Sequence, residues 1–131
     1  MKRSYLRKQG KSDTAKIKRN IQALLRAFAI ERDGDCILRK HRHCNDPVLQ
    51  YDHLITRGNS ATYSDERLGV LICRTCHGWK HWHKEEYDAL MRKILSKERV
   101  KHWDKCSEES WRPTQMDWKL EEVRLKQLLK C

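Results

Sequence analysis

Two short segments of the sequence carry side chains whose types and spacing suit hydrolytic chemistry. Asp52 and His53 are neighbours, and His77 and His81 stand four residues apart directly after a Cys-x-x-Cys pair. Histidines at this spacing share one face of a helix, about 6 Å from each other, which is a common way to hold a metal ion. A carboxylate beside them supplies a hard oxygen ligand. The pattern therefore predicts one catalytic metal ion held by Asp52, His77 and His81.

His53 has a different expected role from its neighbour. Successive residues of a strand point to opposite sides, so His53 should stay outside the metal shell formed with Asp52. A neutral imidazole can take a proton from an attacking water, because histidine titrates near working pH, at about 6.5 when unperturbed. Together with a metal ion that polarises a phosphate, these residues suit phosphodiester hydrolysis with His53 as general base. The ion is expected to be Mg²⁺ or Mn²⁺, although Zn²⁺ and Ni²⁺ suit two histidines and a carboxylate as well.

The cysteines predict a second metal site. Cys73 and Cys76 are three positions apart, so both sulfurs can converge on one ion, and Cys36 and Cys44 are the natural other pair. A tetrahedral zinc site needs four such ligands. Because four thiolates leave no open coordination position, this Zn²⁺ would be structural and the chemistry would have to come from elsewhere.

Alternatives remain open for each half of this cysteine site. Cys36 and Cys44 are eight positions apart, wider than the usual zinc knuckle, and His41 or His43 could replace one thiolate. A redox dithiol is the rival interpretation of residues 73–76, but no thioredoxin-like βαβ pattern surrounds them. The other two cysteines, Cys106 and Cys131, are expected to be free thiols.

The charge balance favours a polyanionic partner, and DNA is the expected one. The 131 residues include 29 Lys+Arg against 18 Asp+Glu, a formal net charge of +11. Basic side chains concentrate in residues 1–19, which hold one acid. Such asymmetry is typical of chains that bind polyphosphate. The residues expected to contact nucleic acid lie after the general base, around the helix that follows Cys-x-x-Cys, and in the N-terminal basic helix: Arg57, Gly58, Arg74, Lys80, Lys16 and Arg19.

The sequence pattern predicts helices and strands that would position these residues, and together they indicate an α+β fold. We expect a flexible basic arm over 1–12, a basic amphipathic helix over 13–34, and a metal-binding domain over 35–98. Within that domain, strands are expected at 48–55 and 69–73 and a helix from about 77 to 96. Residues 99–131 should form a linker and a last helix, about 116–130. With 38% hydrophobic residues the core is small, so a bound metal would help to stabilise it.

The middle of the chain is similar to a known family. The stretch DGDC…C…YDHLITRGNSATYSDERLGVLICRTCHGWKH resembles the HNH endonuclease family. The resemblance covers about 31–95 and implies a ββα-metal (His-Me finger) core with a zinc site of four cysteines, flanked here by N-terminal and C-terminal helices. It implies that His53 is the general base, that Asp52 and His77 are metal ligands, and that His81 is the additional helix histidine of some members.

The chain departs from the family pattern at one informative position. The family's middle asparagine, which holds the hairpin loop through side-chain-to-backbone hydrogen bonds, is replaced by Leu68. Asp65, Asn59 or Glu66 are candidates to compensate. Short pieces such as Arg57-Gly58 are also similar to the NinG/Rap phage recombination proteins, which act on branched DNA.

The remaining expectations concern location, assembly and the rival class of function. Neither a membrane span nor a signal peptide is evident, which predicts a cytoplasmic protein, compatible with a phage or mobile-element protein in a bacterial cell. One active site nicks one strand, so double-strand cutting would require a homodimer. The alternative function is a non-catalytic, zinc-stabilised nucleic-acid-binding module, which the composition and the cysteines fit equally well.

Overall fold

The computed structural model describes the backbone of residues 2–56 and 59–130, and the side chains of 13–56 and 59–130. Over these residues it has five α helices and one small antiparallel sheet, which confirms the α+β class. The helices and strands are, in chain order, α1 (Lys2–Asp33), β1 (Leu49–His53), β2 (Gly69–Cys73), α2 (Arg74–Trp82), α3 (Lys84–Ile94), α4 (Lys97–Cys106) and α5 (Gln115–Lys130).

The two strands form a hairpin whose two faces meet different cores. Leu49 pairs with Cys73 and His53 with Gly69. Strand β2 is buried along its whole length, and its alternating side chains divide between the two cores. Val70 and Ile72 pack with the cysteines, α3 and α4, whereas Leu71 packs with α1 and α5. The run GVLIC is therefore apolar at every side chain because both of its faces are covered.

Hydrogen bonds fix the C-terminal end of helix α1 to strand β2. Gly34, with φ 75°, stops the helix in a left-handed conformation that favours glycine. The Asp33 carboxylate accepts the backbone N–H of Leu71 at 3.0 Å, and Arg32 donates to the Gly69 carbonyl at 2.7 Å. Further along, α1 packs on α5, so Ile21 and Leu25 share one core with Trp118 and Leu125.

The N-terminal boundary differs from the expected one. We predicted a flexible arm over 1–12 and a helix beginning near 13, whereas α1 begins at Lys2. The side chains of residues 1–12 lie outside the described residues, so the basic arm as a nucleic-acid contact stays a prediction.

The helix expected over 77–96 is two helices. Helix α2 begins earlier, at Arg74, and the chain breaks at His83, whose φ and ψ of −135° and 49° are not helical. Helix α3 then has Glu85 and Glu86 in its first turn and basic residues in its last, the arrangement that complements a helix dipole. These acids mark a new helix start that the apolar periodicity alone did not reveal.

Helix α4 was not predicted. Ser96 caps it by accepting the backbone N–H of Arg99 at 3.3 Å, and Trp103 and Cys106 are its buried side chains. A serine followed within three residues by an acid is a usual helix start, and that signal was present in the sequence.

The loop between the strands is held by backbone and side-chain hydrogen bonds around Leu68. Leu68 is buried, and its carbonyl accepts the backbone N–H of Leu54 at 2.8 Å. The Asp65 carboxylate accepts from the backbone of Arg67, and the Asn59 amide donates to the Glu109 carbonyl at 2.8 Å. Side-chain-to-backbone bonds from two of the three suggested residues thus hold the loop.

No helix over the described residues is long and apolar enough to cross a bilayer.

Candidate functional site

Four cysteine sulfurs converge where the hairpin meets the start of α2. The Sγ atoms of Cys36, Cys44, Cys73 and Cys76 all lie within 4.8 Å of one another. Cys36 Sγ is 3.8 Å from Cys44 Sγ and 3.9 Å from Cys76 Sγ. Ligands about 2.3 Å from a central tetrahedral ion stand about 3.8 Å apart, so the cluster, hereafter the cysteine cage, fits a structural Zn²⁺. His41 and His43 are exposed and are not part of the group.

The wide spacing between Cys36 and Cys44 is spanned by a compact turn. The backbone of Arg39 donates to the Cys36 carbonyl at 3.1 Å, and Leu38 is fully buried against the cage. The Arg39 guanidinium donates to the carbonyls of Cys44 and Asp46, both at 3.0 Å. The polar residues therefore loop outward while the two sulfurs turn inward.

The surroundings of the cage favour thiolates bound to a cation. Burial, and the charge of neighbouring cysteines, raise the pKa of the Cys36 and Cys76 thiols. Although burial opposes it, the backbone N–H of Cys76 and the neighbouring thiols lower the pKa of Cys73. Because a metal-bound sulfur must be deprotonated, the buried thiols ionise fully only when a cation compensates their charge.

Arg42 is a neighbour of the cage that the sequence did not single out. Its Nη1 donates to Cys76 Sγ at 3.2 Å, and its guanidinium lies 3.9 Å from the centre of the Trp79 ring. A positive group beside four thiolates offsets part of their charge and fixes their orientation.

We expect Arg42→Ala to weaken zinc binding by about 10–100-fold, the usual effect of removing a hydrogen-bond partner of a metal ligand. Competition with a chromogenic zinc chelator measures the change. Lys40→Ala is the matched control, because Lys40 is an exposed basic residue on the same turn. Equal zinc affinity in both variants would show that the Arg42 contact does not stabilise the cage.

The carboxylate of Asp52 lies at the floor of a cleft between the hairpin and α2. Asp52 is 4% exposed, and its Oδ1 is 3.5 Å from His77 Nε2. Lys80 Nζ donates to both carboxylate oxygens, at 2.9 and 2.8 Å, and the Tyr87 hydroxyl donates to Oδ2. Burial and the adjoining carboxylate raise the pKa of Tyr87, so its hydroxyl remains a donor. Two of the expected metal ligands, Asp52 and His77, therefore lie close together in space, and the Lys80 ammonium lies beside Asp52.

His81 stands slightly apart from this pair. Its ring centroid is 5.2 Å from that of His77, as expected for residues on one helical face, but His81 is exposed. Among the described side chains, the ligand atoms of Asp52, His77 and His81 do not all gather within 4.8 Å of one another. The geometry brings together two of the three predicted ligands of the catalytic ion.

His53 follows Asp52 in β1, and its ring lies between two aromatic rings. It is 7% exposed, stacks on Tyr63 at 4.8 Å and meets the edge of Tyr51 at 5.0 Å. His53 Nε2 is 3.1 Å from the Tyr63 carbonyl oxygen. Because a carbonyl can only accept, Nε2 is the donor in this contact, and Nδ1 is the acceptor nitrogen of the corresponding neutral tautomer.

The cleft is large, and most of its charged lining residues are basic. Its volume is about 740 Å³, and Asp52, His53, His77 and His81 all line it. Besides Asp52, its charged lining residues are Arg26, Lys80 and Lys84.

A second hollow continues the cleft along α1. Gln22 lines both the cleft and this neighbouring hollow of about 310 Å³, which also meets Arg19. Arg19 and Lys16 are exposed on α1. A basic helix face therefore runs alongside the cleft.

Two other predicted nucleic-acid contacts, Lys80 and Arg74, are already paired with carboxylates. Lys80 is 15% exposed and bound to Asp52, so it can reach a phosphate only by leaving that carboxylate. Arg74 is largely exposed but pairs with Asp46 at 3.1 Å. Arg57 and Gly58 lie outside the described residues, as does Cys131.

Sequence reasoning missed the partners of Asp52. Lys80 lies three residues after His77 on the same helical face, and this spacing could have indicated its approach to Asp52. Tyr87 could not be found in this way, because it reaches the carboxylate only through the bend at His83.

Comparison with known proteins finds no relative: no family model matches the chain, nor does any curated protein or solved structure.

Proposed function

We propose that this chain is a metal-dependent HNH-type endonuclease that hydrolyses phosphodiester bonds of DNA. The observation that carries the proposal is the 3.5 Å approach of His77 Nε2 to the Asp52 carboxylate, at the floor of a cleft that His53 also lines. The order of elements, two antiparallel strands followed by α2, is the order of a ββα-metal core. A binding module would have no need to place a buried carboxylate and three imidazoles around one cavity.

The donor set suits a divalent ion in part. Asp52 and His77 would hold the ion, and His81 on the next turn could join them by a change of rotamer. An ion there would compete with Lys80 for the carboxylate. When bound, Mg²⁺ or Mn²⁺ supplies charge stabilisation for the scissile phosphate and the departing oxygen. Zn²⁺ and Ni²⁺ also suit these ligands.

The protein groups around the ligands have separate tasks. The Tyr63 carbonyl fixes the tautomer of His53, so that Nδ1 can accept a proton from the attacking water. Tyr63 and Tyr51 keep the His53 ring in place. The Lys80 ammonium, once displaced from Asp52, lies in the cleft where it can meet the negative charge of the substrate.

The substrate class follows from the charge around the cleft. Arg19, Arg26 and Lys84 line the cleft or the hollow that continues it, and they would meet successive phosphates of a DNA backbone. Such contacts position a strand without reading its sequence, which is compatible with branched DNA as substrate. A homodimer would provide two sites for double-strand cutting, and α5 leaves Met116, Leu120 and Val123 exposed for such an association.

The second candidate is a non-catalytic zinc-stabilised nucleic-acid-binding module. It is favoured by the full set of partners that Asp52 already has in Lys80 and Tyr87. In that case the carboxylate is a structural group that orders the cleft, and the basic residues alone would bind DNA.

Plasmid nicking with Mg²⁺ or Mn²⁺ separates the two candidates. We expect His77→Ala to lower the nicking rate by at least about 100-fold, because loss of a ligand removes most of the metal's contribution. We expect a smaller loss for His81→Ala, because His81 lies outside the close pair. His43→Ala is the matched control, since His43 is an exposed histidine outside the cleft.

The outcome that would contradict the nuclease is equally definite. If the wild-type protein binds DNA but nicks none under any of these metals, the binding module is correct. A panel of linear, flapped and four-way DNA then shows which structure is preferred.

A further inference from the structure

A second group of metal-ligand atoms lies away from the cleft, where α4 packs against the turn that precedes β2. Among the described residues, Asp65, His102 and Cys106 are the other set whose ligand atoms all come within 4.8 Å of one another. His102 Nε2 is 2.6 Å from Asp65 Oδ2, and Cys106 Sγ is 3.6 Å from the same ring nitrogen. An oxygen, a nitrogen and a sulfur that can all bind a metal therefore lie close together.

The fold builds this cluster from three independent features. Asp65 is fixed because its other oxygen, Oδ1, caps the short turn by accepting the backbone N–H of Arg67. His102 and Cys106 are one helical turn apart on α4, so their side chains share a face. Cys106 is 4% exposed, and His102 is mostly covered. The ligand atoms are thus held by secondary structure rather than by flexible surface chains.

A nucleophilic Asp-His-Cys triad does not fit this geometry. In a triad, the acid and the nucleophile bind different nitrogens of the imidazole. Here Cys106 Sγ is 3.7 Å from His102 Nδ1 and 3.6 Å from Nε2, so the sulfur lies beside the ring and is not aligned with one nitrogen. The imidazole cannot relay a proton between the other two groups.

Charges of both signs surround the cluster: the Arg67 guanidinium binds both oxygens of Asp65 at 3.2 Å, and Arg124 pairs with Glu66 and Glu121. The cluster opens to a cavity of about 370 Å³, lined also by the carboxylates of Glu66, Glu109 and Glu121 against the guanidiniums of Arg67 and Arg124. Carboxylates therefore outnumber guanidiniums here, although the chain as a whole carries a net charge of +11. Glu109 follows Cys106 by three residues, and its main chain is held by the Asn59 amide. Its carboxylate stands outside the group within 4.8 Å, but it lines the same cavity and is a candidate for a fourth ligand.

We propose that Asp65, His102 and Cys106 form a second metal site, which binds a borderline divalent ion such as Zn²⁺, with Glu109 or a water as fourth ligand. One sulfur, one imidazole nitrogen and one carboxylate oxygen are a donor set that Zn²⁺ and Co²⁺ accept in tetrahedral geometry. On binding, the Cys106 thiol releases its proton to solvent. The ion would join residue 65 to α4 and so fix the end of the loop between the strands. The site is independent of the proposed nuclease activity.

The test is the zinc content of the purified full chain after dialysis, measured by elemental analysis together with Co²⁺ titration. We expect the wild type to retain one more equivalent of zinc than Asp65→Asn or His102→Gln, both of which preserve the shape of the cluster. We expect the Co²⁺ spectrum to lose a thiolate charge-transfer component in Cys106→Ser. Asp104→Asn is the matched control, because Asp104 is an exposed acid on the same helix.

Equal zinc content in the wild type, Asp65→Asn and His102→Gln would overturn the proposal. If Cys106→Ser fails to fold, the other two variants decide the question, since they leave the buried cysteine in place. The equivalent of zinc that Asp65→Asn and His102→Gln retain then belongs to the cysteine cage, which these substitutions leave intact.

Discussion

Cys76→Ser is expected to abolish binding of the structural zinc and to leave the chain largely unfolded at 25 °C. Structural zinc contributes about 10–16 kcal/mol of binding free energy, whereas a domain of this size is stable by only about 5–15 kcal/mol. Cys76 is fully buried, and its Sγ lies among the three other sulfurs of the cysteine cage. Without the ion, the binding free energy that offsets the small hydrophobic core is lost.

Circular dichroism and elemental analysis measure this loss. The wild type should melt cooperatively, and a strong chelator should convert it to the spectrum of the variant. His41→Ala and His43→Ala are the matched controls, because both histidines stand on the loop between two cage cysteines and are exposed. Both should keep the zinc and the melting temperature of the wild type. A Cys76→Ser protein with unchanged thermal stability would mean that the cage binds no structural ion.

His53→Ala is expected to lower the rate of DNA cutting by about 10²–10⁴-fold, the usual contribution of a positioned general base. The physical reason is that His53 lines the cleft beside Asp52, and the neutral tautomer that donates Nε2–H to the Tyr63 carbonyl has Nδ1 as its proton acceptor. Zinc content and DNA affinity should remain close to those of the wild type, because His53 belongs to neither the cage nor the basic helix face.

Alanine at position 53 also removes a buried ring that contacts Tyr51 and Tyr63, so some loss of stability is expected. His53→Gln is the better matched variant, since the Gln side-chain amide can still donate to the Tyr63 carbonyl but is not a base. We expect it to fold like the wild type and to be as inactive as His53→Ala. Cutting at the wild-type rate by a folded His53→Gln protein would refute the assignment of the base.

The local elements that depend on short apolar runs were predictable from the sequence. Strand β2 runs from Gly69 to Cys73, as its apolar run indicated, and the four cage cysteines meet as their spacing suggested. These features are decided by neighbouring residues: a short continuous apolar run for a strand covered on both faces, and a Cys-x-x-Cys turn for two ligands.

Features that depend on tertiary contacts could not be predicted in the same way. The apolar periodicity of residues 77–96 continues through His83, but Tyr87 turns inward to Asp52, and this requires two helices in place of one. The ion pair between Lys80 and Asp52 depends on how α2 packs against β1, which no local pattern specifies. Helix α4, by contrast, had a readable start at Ser96 that apolar periodicity overlooked.

The continuity of β2 and α2 has a consequence for how the chain tolerates changes of length. Cys73 ends the strand and caps the helix, Cys76 completes the cage, and His77 faces the cleft, all without an intervening loop. A single inserted residue between Cys73 and His77 would turn the helix by about 100° and move the histidine away from Asp52. Helix α2 ends at Trp82. Insertions near His83 would therefore leave the cage cysteines and the cleft histidines in their present relative positions. Insertions and deletions should therefore be tolerated after His81, near His83, and should not be tolerated between Cys73 and His81.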